Sequence, residues 1–188
     1  MRVEGKKLAS GRRRGRIWYI MQDLDSQLFG ESVRDELLCG QKATPERTAR
    51  ADEVLDALGL GALADRHPAT LSGGQKQRLA LGVALMHDAS VIVLDEPTTY
   101  LDIRACHETM ELVRRLNEEA GKTIVMVIHD LDLALRYSDR LLVMEHGRAA
   151  AAGTVEEVLA TGAIERAFGV SIRPHEAAEG RAYTLFPA

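Results

Sequence analysis

The sequence predicts an α/β fold organised on a parallel sheet, and three observations carry that reading. Short apolar runs at 17–21, 91–94 and 123–128 alternate with stretches of helical periodicity, as strands joined by crossover helices do. Each run stops at a polar residue: Gln22, the pair Asp95-Glu96, and His129. In open parallel sheets ligands gather at the carboxyl ends of the strands, so these three groups can face one crevice.

The elements follow in order. Residues 2–15 are basic and glycine-punctuated, with Arg12-Arg13-Arg14 at their densest; three arginines read as a solvated turn. Residues 17–21 are rich in strand formers. Thr44-Pro45 is a cap and first-turn pair, and Ala51, Val54, Leu55 and Leu58 recur at helical spacing until Gly59. Ser72 and Gln75 form a capping box, after which Leu79, Val83 and Met86 line one helix face. The continuous apolar runs 91–94 and 123–128 predict strands buried on both faces. Between them Asp102 caps a helix carrying Cys106, Met110, Val113 and Leu116, which ends near Gly121. Residues 140–144 and 148–152 read as a hairpin about His146-Gly147, and Thr154 with Glu157 is another capping box. From Pro174 the pattern is that of a less ordered tail.

Bulk numbers narrow the function classes. The 188 residues suit one domain with a real core, and 46% apolar with 28% charged residues is ordinary for a soluble globular protein. A net charge of -4 and 4% aromatics argue against nucleic acid as a partner. Cys39 and Cys106 have no metal-like spacing and read as free thiols. No apolar run reaches the length of a membrane span.

The chemistry concentrates at the strand ends. A hard cation such as Mg²⁺ takes oxygen ligands and keeps several waters, so Asp95 can hold it directly or through water. Glu96 is then placed to orient and deprotonate an attacking water. Ser72-Gly73-Gly74-Gln75 offers backbone N–H groups and a hydroxyl at a helix start, an anion site, although the capping box also accounts for Ser72 and Gln75. Helix capping alone would account for Asp102, and a lone His129 is as readily structural.

Taken together these residues resemble the ATP-binding subunit of ABC transporters. Leu71-Ser72-Gly73-Gly74-Gln75 matches the signature motif, and residues 91–96 followed by Pro97-Thr98 match Walker B with its catalytic glutamate. Tyr100-Leu101-Asp102 falls at the D-loop, Gln22 at the Q-loop and His129 at the switch histidine. The resemblance implies a P-loop NTPase-like parallel sheet over residues 1–173, with an inserted helical subdomain at about 28–88 and a C-terminal tail, 174–188. It implies ATP with Mg²⁺ and a dimer of ATPase subunits, each nucleotide sandwiched between the phosphate loop of one and the signature motif of the other. In that arrangement Glu96 is the general base, and Asp95 and Gln22 form the Mg²⁺ side. Ser72 to Gln75 with Asp102 are the trans clamp, and His129 stabilises the transferring phosphate. Gln22 would couple the γ-phosphate to a transmembrane permease, with the subunit in the cytoplasm on the inner face of the membrane. Residues 22–33 are most similar to energy-coupling factor importers for vitamins and for cobalt or nickel, and "DEPTTYLDI" (95–103) also to iron–siderophore importers.

The departure is at the front. No Gly-x-x-x-x-Gly-Lys-Ser/Thr precedes Gln22, and "MRVEGKKL" resembles the segment after the phosphate-loop helix. Gly121-Lys122-Thr123 leads from helix into strand, the reverse of what a phosphate loop needs. Such a loop makes about four charge-assisted hydrogen bonds of roughly 1.5–3 kcal/mol each. Without them roughly 6–12 kcal/mol is lost, against about 8 kcal/mol for a micromolar affinity. The expectation is therefore a fragment of an importer ATPase, lacking the first strand and helix and exposing a hydrophobic flank. The alternative is an incompetent remnant or regulatory partner that lends its signature motif to an intact subunit. ABC ATPases of DNA repair are disfavoured, because no sustained heptads lie between Gln22 and Leu71.

Overall fold

The computed structural model describes residues 2–3, 6–7, 17–177 and 180–187. Arg12-Arg13-Arg14 and half of "MRVEGKKL" lie outside the described residues. The chain divides into two compact units, Met1–Val127 and Ile128–Ala188.

In the first unit β1 (Arg2–Val3) and β2 (Lys6–Lys7) pair antiparallel. The central sheet holds β3 (Ile17–Ile20), β4 (Val91–Asp95) and β5 (Thr123–Val127), in that order and all parallel. Its register sets Tyr19 opposite Val93, and Val93 opposite Val125. Helices α1 (Val33–Leu38), α2 (Pro45–Ala57) and α3 (Gly73–Met86) lie between β3 and β4, and α4 (Ile103–Glu118) between β4 and β5.

Local chemistry explains where these helices begin and end. Thr44 caps α2 with Pro45 in its first turn. At the other end Gly59 takes φ +66°, and the N–H groups of Leu60 and Gly59 donate to the carbonyls of Leu55 and Asp56. That is a Schellman stop, sealed by Leu55 and Leu60, both essentially inaccessible. The predicted capping box starts α3: Gln75 N–H donates to Ser72 Oγ, and Ser72 N–H to Gln75 Oε1.

Helix α3 departs from the one-faced expectation. Leu79, Ala80, Leu81, Val83, Ala84 and Met86 are all buried, which is more than one stripe. Its neighbours α1, α2, α4 and β3 surround it, so the helix has no solvent side over much of its length. A Cβ on Gly82 would stand 2.8 Å from a Leu58 methyl and 2.9 Å from one of Leu37, so the absent side chain lets three helices approach.

The sheet also corrects the expectation of strands buried on both faces. Ile20, Ile92 and Leu94 are wholly buried, with Trp18, Ile124 and Met126 packed on the same core. On the opposite face Tyr19, Val125 and Val127 remain 47–49% exposed. An apolar run shows that a strand tolerates burial on both faces; burial itself requires an element packed on each.

The second unit begins with α5 (Leu131–Tyr137), capped by Asp130. The hairpin β6 (Arg140–Glu145) and β7 (Arg148–Thr154) turns at His146 (φ 48°) and Gly147 (φ 74°), two left-handed residues that suit strand twist. Helices α6 (Val155–Ala160) and α7 (Ala163–Phe168) follow, the first on its predicted capping box. Leu135, Val143, Val158 and Ile164 form a separate core.

Residues beyond Pro174 differ from the loosely patterned tail the sequence suggests. β8 (Val170–Ala177) and β9 (Gly180–Pro187) form an antiparallel pair, with Pro174 opposite Tyr183. Most of the ribbon's described residues stay exposed, so the strands need no alternating apolar code. Arg173 stacks on Phe186 at 5.0 Å instead.

Candidate functional site

Two clusters form in the first unit. The first lies at the carboxyl end of the sheet. Gln22 follows β3 and Glu96 follows β4, and the parallel register brings them together: Gln22 Nε2 donates to Glu96 Oε2 at 2.8 Å. Thr99 Oγ1 donates to the same oxygen at 3.0 Å. Glu96 has φ 48°, a left-handed conformation costly for a side chain with a Cβ and typical of functional sites. Its N–H donates to the Val127 carbonyl at 3.0 Å, which helps hold it there.

Asp95 ends β4, and the Tyr19 hydroxyl donates to its Oδ2 at 2.5 Å. That bond is the main cause of a phenol pKa raised above its ordinary value, with desolvation and the negative charge of Asp95 adding to it. Among the described residues no cluster of three or more His, Cys, Asp or Glu side chains could hold a metal. One carboxylate, Asp95, nevertheless fits Mg²⁺, which usually keeps waters and phosphate oxygens as its other ligands.

The loop after Gln22 is braced from several sides. Gln27 donates from Nε2 to the Tyr19 carbonyl at 2.8 Å and accepts from Met21 N–H at 2.9 Å. Asp23 caps a short turn, 24–26, and its carboxyl is held below its ordinary pKa chiefly by the hydrogen bond from Ser26. Lys76, in the first turns of α3, pairs with Asp25 at 2.5 Å.

The second cluster lies where α3 and α4 begin. A pocket of about 160 Å³ is lined by Ser72, Gly74 and Asp102 together with Arg78, Arg104 and Glu108. Asp102 caps α4 by accepting from Ala105 N–H at 2.8 Å. The two helix starts touch because Gly73 and Gly74 carry no side chain: a Cβ would stand 2.9 Å from Leu101 or 3.2 Å from Ala105 Cβ. Glu108 pairs with Arg104 at 2.8 Å and with Arg78 at 3.6 Å.

The predicted residues thus fall into two groups, Gln22 with Asp95 and Glu96, and Ser72 to Gly74 with Asp102. His129 belongs to the second unit, directly before the Asp130 cap of α5. The sequence reading missed Tyr19, Gln27, Thr99 and the Lys76–Asp25 pair. Thr99 could have been found from its spacing, three residues after Glu96, but Tyr19 needed the strand register.

The comparisons follow the same line. Residues 1–99 match the family model of the ABC transporter. The chain is 38% identical over 165 residues to the energy-coupling factor transporter ATP-binding protein EcfA1 of Symbiobacterium thermophilum, covering 86% of this chain and 57% of that one. It is 45% identical over 115 residues to the petrobactin import ATP-binding protein FpuC of Bacillus anthracis, covering 61% and 42%. Across the curated relatives compared, it spans 28–62% of their own length. Among solved structures it superposes on cbiO1 of Clostridium perfringens, part of the ABC transporter complex cbiONQ. There the TM-score is 0.73 at 34% identity, over 83% of this chain and 64% of the other. With the family model matching more than half of this chain, and with the parallel sheet β3-β4-β5 superposing on a solved relative, the chain belongs to the ABC transporter family.

Proposed function

We propose that this chain supplies catalytic and clamping residues of the ATPase subunit of an ABC importer, coupling ATP hydrolysis to uptake of a small solute. The observation that carries the reading is the 2.8 Å hydrogen bond from Gln22 to Glu96, which joins the ends of two adjacent strands beside Asp95. Held by Gln22 and Thr99, the Glu96 carboxylate keeps one orientation in which it can accept the proton of a water attacking the γ-phosphate. Asp95 and Gln22 would hold Mg²⁺, which when bound neutralises phosphate charge and fixes the phosphate oxygens. Ser72, Gly73, Gly74 and Gln75, with Asp102, would close over the nucleotide of a second ATPase subunit. His129 would stabilise the transferring phosphate. A bond between Gln22 and the general base gives the loop at 22–30 a physical link to the chemistry, and that loop would meet a membrane-embedded permease. Among the described residues no helix is long and apolar enough to cross a membrane. Relatives named as ATP-binding proteins of an energy-coupling factor transporter and of petrobactin import support a metal ion, vitamin or siderophore as the solute class.

The test is Glu96→Gln in the assembled transporter. Phosphate release is expected to fall at least about a hundredfold, the scale of a lost general base, while nucleotide binding stays. Equal loss of both would refute the base role.

A further inference from the structure

We propose that Tyr19 is a positioning residue for Asp95, holding one carboxylate oxygen so that the other faces the cation that enters with the nucleotide. This rests on the reading of Asp95 given above. The geometry begins with register. Tyr19 pairs with Val93, and Asp95 lies two residues further along β4 on the same face. Two residues of strand rise about 6.6 Å, close to the reach of a phenol from Cα to hydroxyl. Tyrosine therefore delivers a donor to Asp95 Oδ2, at 2.5 Å, where a shorter hydroxyl on the same strand could not.

The surroundings favour a single pose. Val93 stands directly opposite Tyr19 with Val125 one strand beyond it, and neither carries a polar atom that competes for the hydroxyl. The backbone of Tyr19 is itself pinned by the two Gln27 hydrogen bonds at its carbonyl and at Met21 N–H. Oδ2 is thereby taken up and Oδ1 is left for a metal. Carboxylate ligands oriented in this way by an outer hydrogen bond typically lose ten- to a hundredfold in metal affinity when that partner is removed.

The experiment uses the assembled transporter with Mn²⁺ as the probe, read by electron paramagnetic resonance in the presence of a non-hydrolysable ATP analogue. Wild type, Tyr19→Phe and Asp95→Asn are compared, each with a thermal melt. Tyr19→Phe is expected to weaken Mn²⁺ binding about tenfold, with the cooperative melt retained and Asp95→Asn weaker still. If Asp95→Asn is weak but Tyr19→Phe matches or exceeds wild type, the positioning role falls while the reading of Asp95 stands. If Asp95→Asn binds as well as wild type, both fall. If Tyr19→Phe loses its cooperative melt, Tyr19 serves the fold and the proposal is overturned.

Discussion

Glu36 offers a sharp test of how the loop after Gln22 is held. It sits in α1, yet it is only 4% exposed. Its Oε2 accepts from the N–H of Phe29 at 2.6 Å and of Gly30 at 2.5 Å. The loop crosses so closely that a Cβ on Gly30 would stand 2.6 Å from Glu36 N. Removing the carboxylate with Glu36→Ala strands two backbone donors. Hydrogen bonds to a charged acceptor contribute roughly 1.5–3 kcal/mol each, so the gross loss is roughly 3–6 kcal/mol. The loop borders solvent, with Phe29 75% exposed, and water can recover about half of that. The expected destabilisation is about 1.5–3 kcal/mol, or about 3–12 °C in Tm for a chain of this size. Differential scanning calorimetry measures it, and amide exchange should quicken at Phe29 and Gly30 before it does in α3. A Glu36→Ala variant that melts with the wild type, or whose two amides exchange unchanged, would refute the reasoning. Exposed Glu53 serves as the control, and Glu53→Ala should fall within about 0.5 kcal/mol of wild type.

Two further outcomes follow from the sheet and its neighbour. Leu94→Ala, on the buried face, should cost about 2–5 kcal/mol, whereas Val125→Ala, half exposed on the other face, should cost under about 1 kcal/mol; comparable losses by denaturant titration would contradict the assignment of faces. His87 stacks on Trp18 with ring centroids 4.3 Å apart, and its pKa lies below the ordinary 6.5. Burial is the main cause, opposed by its hydrogen bond to the Cys39 carbonyl and by the charge of Asp88, while Arg47 adds to the lowering. A depressed histidine contributes stability that is present above pH 6.5 and is lost as pH falls through the folded value. Trp18 is the sole tryptophan, so its fluorescence should report protonation below pH 6.5, and His87→Phe should abolish that step; a step that survives belongs to another group.

Much of this protein was legible in the residues themselves because the deciding contacts are local. The capping boxes of Ser72 with Gln75 and Thr154 with Glu157 join residues three apart. The Gly59 stop and the left-handed turn at His146-Gly147 are likewise settled within a few residues. The stretches 71–75 and 91–98 could be matched to family motifs by resemblance because each is a run of residues contiguous in sequence. Separations of that size need no knowledge of what packs where.

The tertiary structure decided what those local elements mean for one another. Tyr19 reaches Asp95 across 76 residues and Gln22 reaches Glu96 across 74, and only the parallel register of β3 on β4 makes either bond. The burial of Glu36, the enclosure of α3 and the open face beside Val125 and Val127 have the same origin. A side chain's pattern states what environment it tolerates; which environment it meets depends on elements distant in sequence. The residue types of the candidate site were therefore present in the chain itself, and their orientation was set by packing.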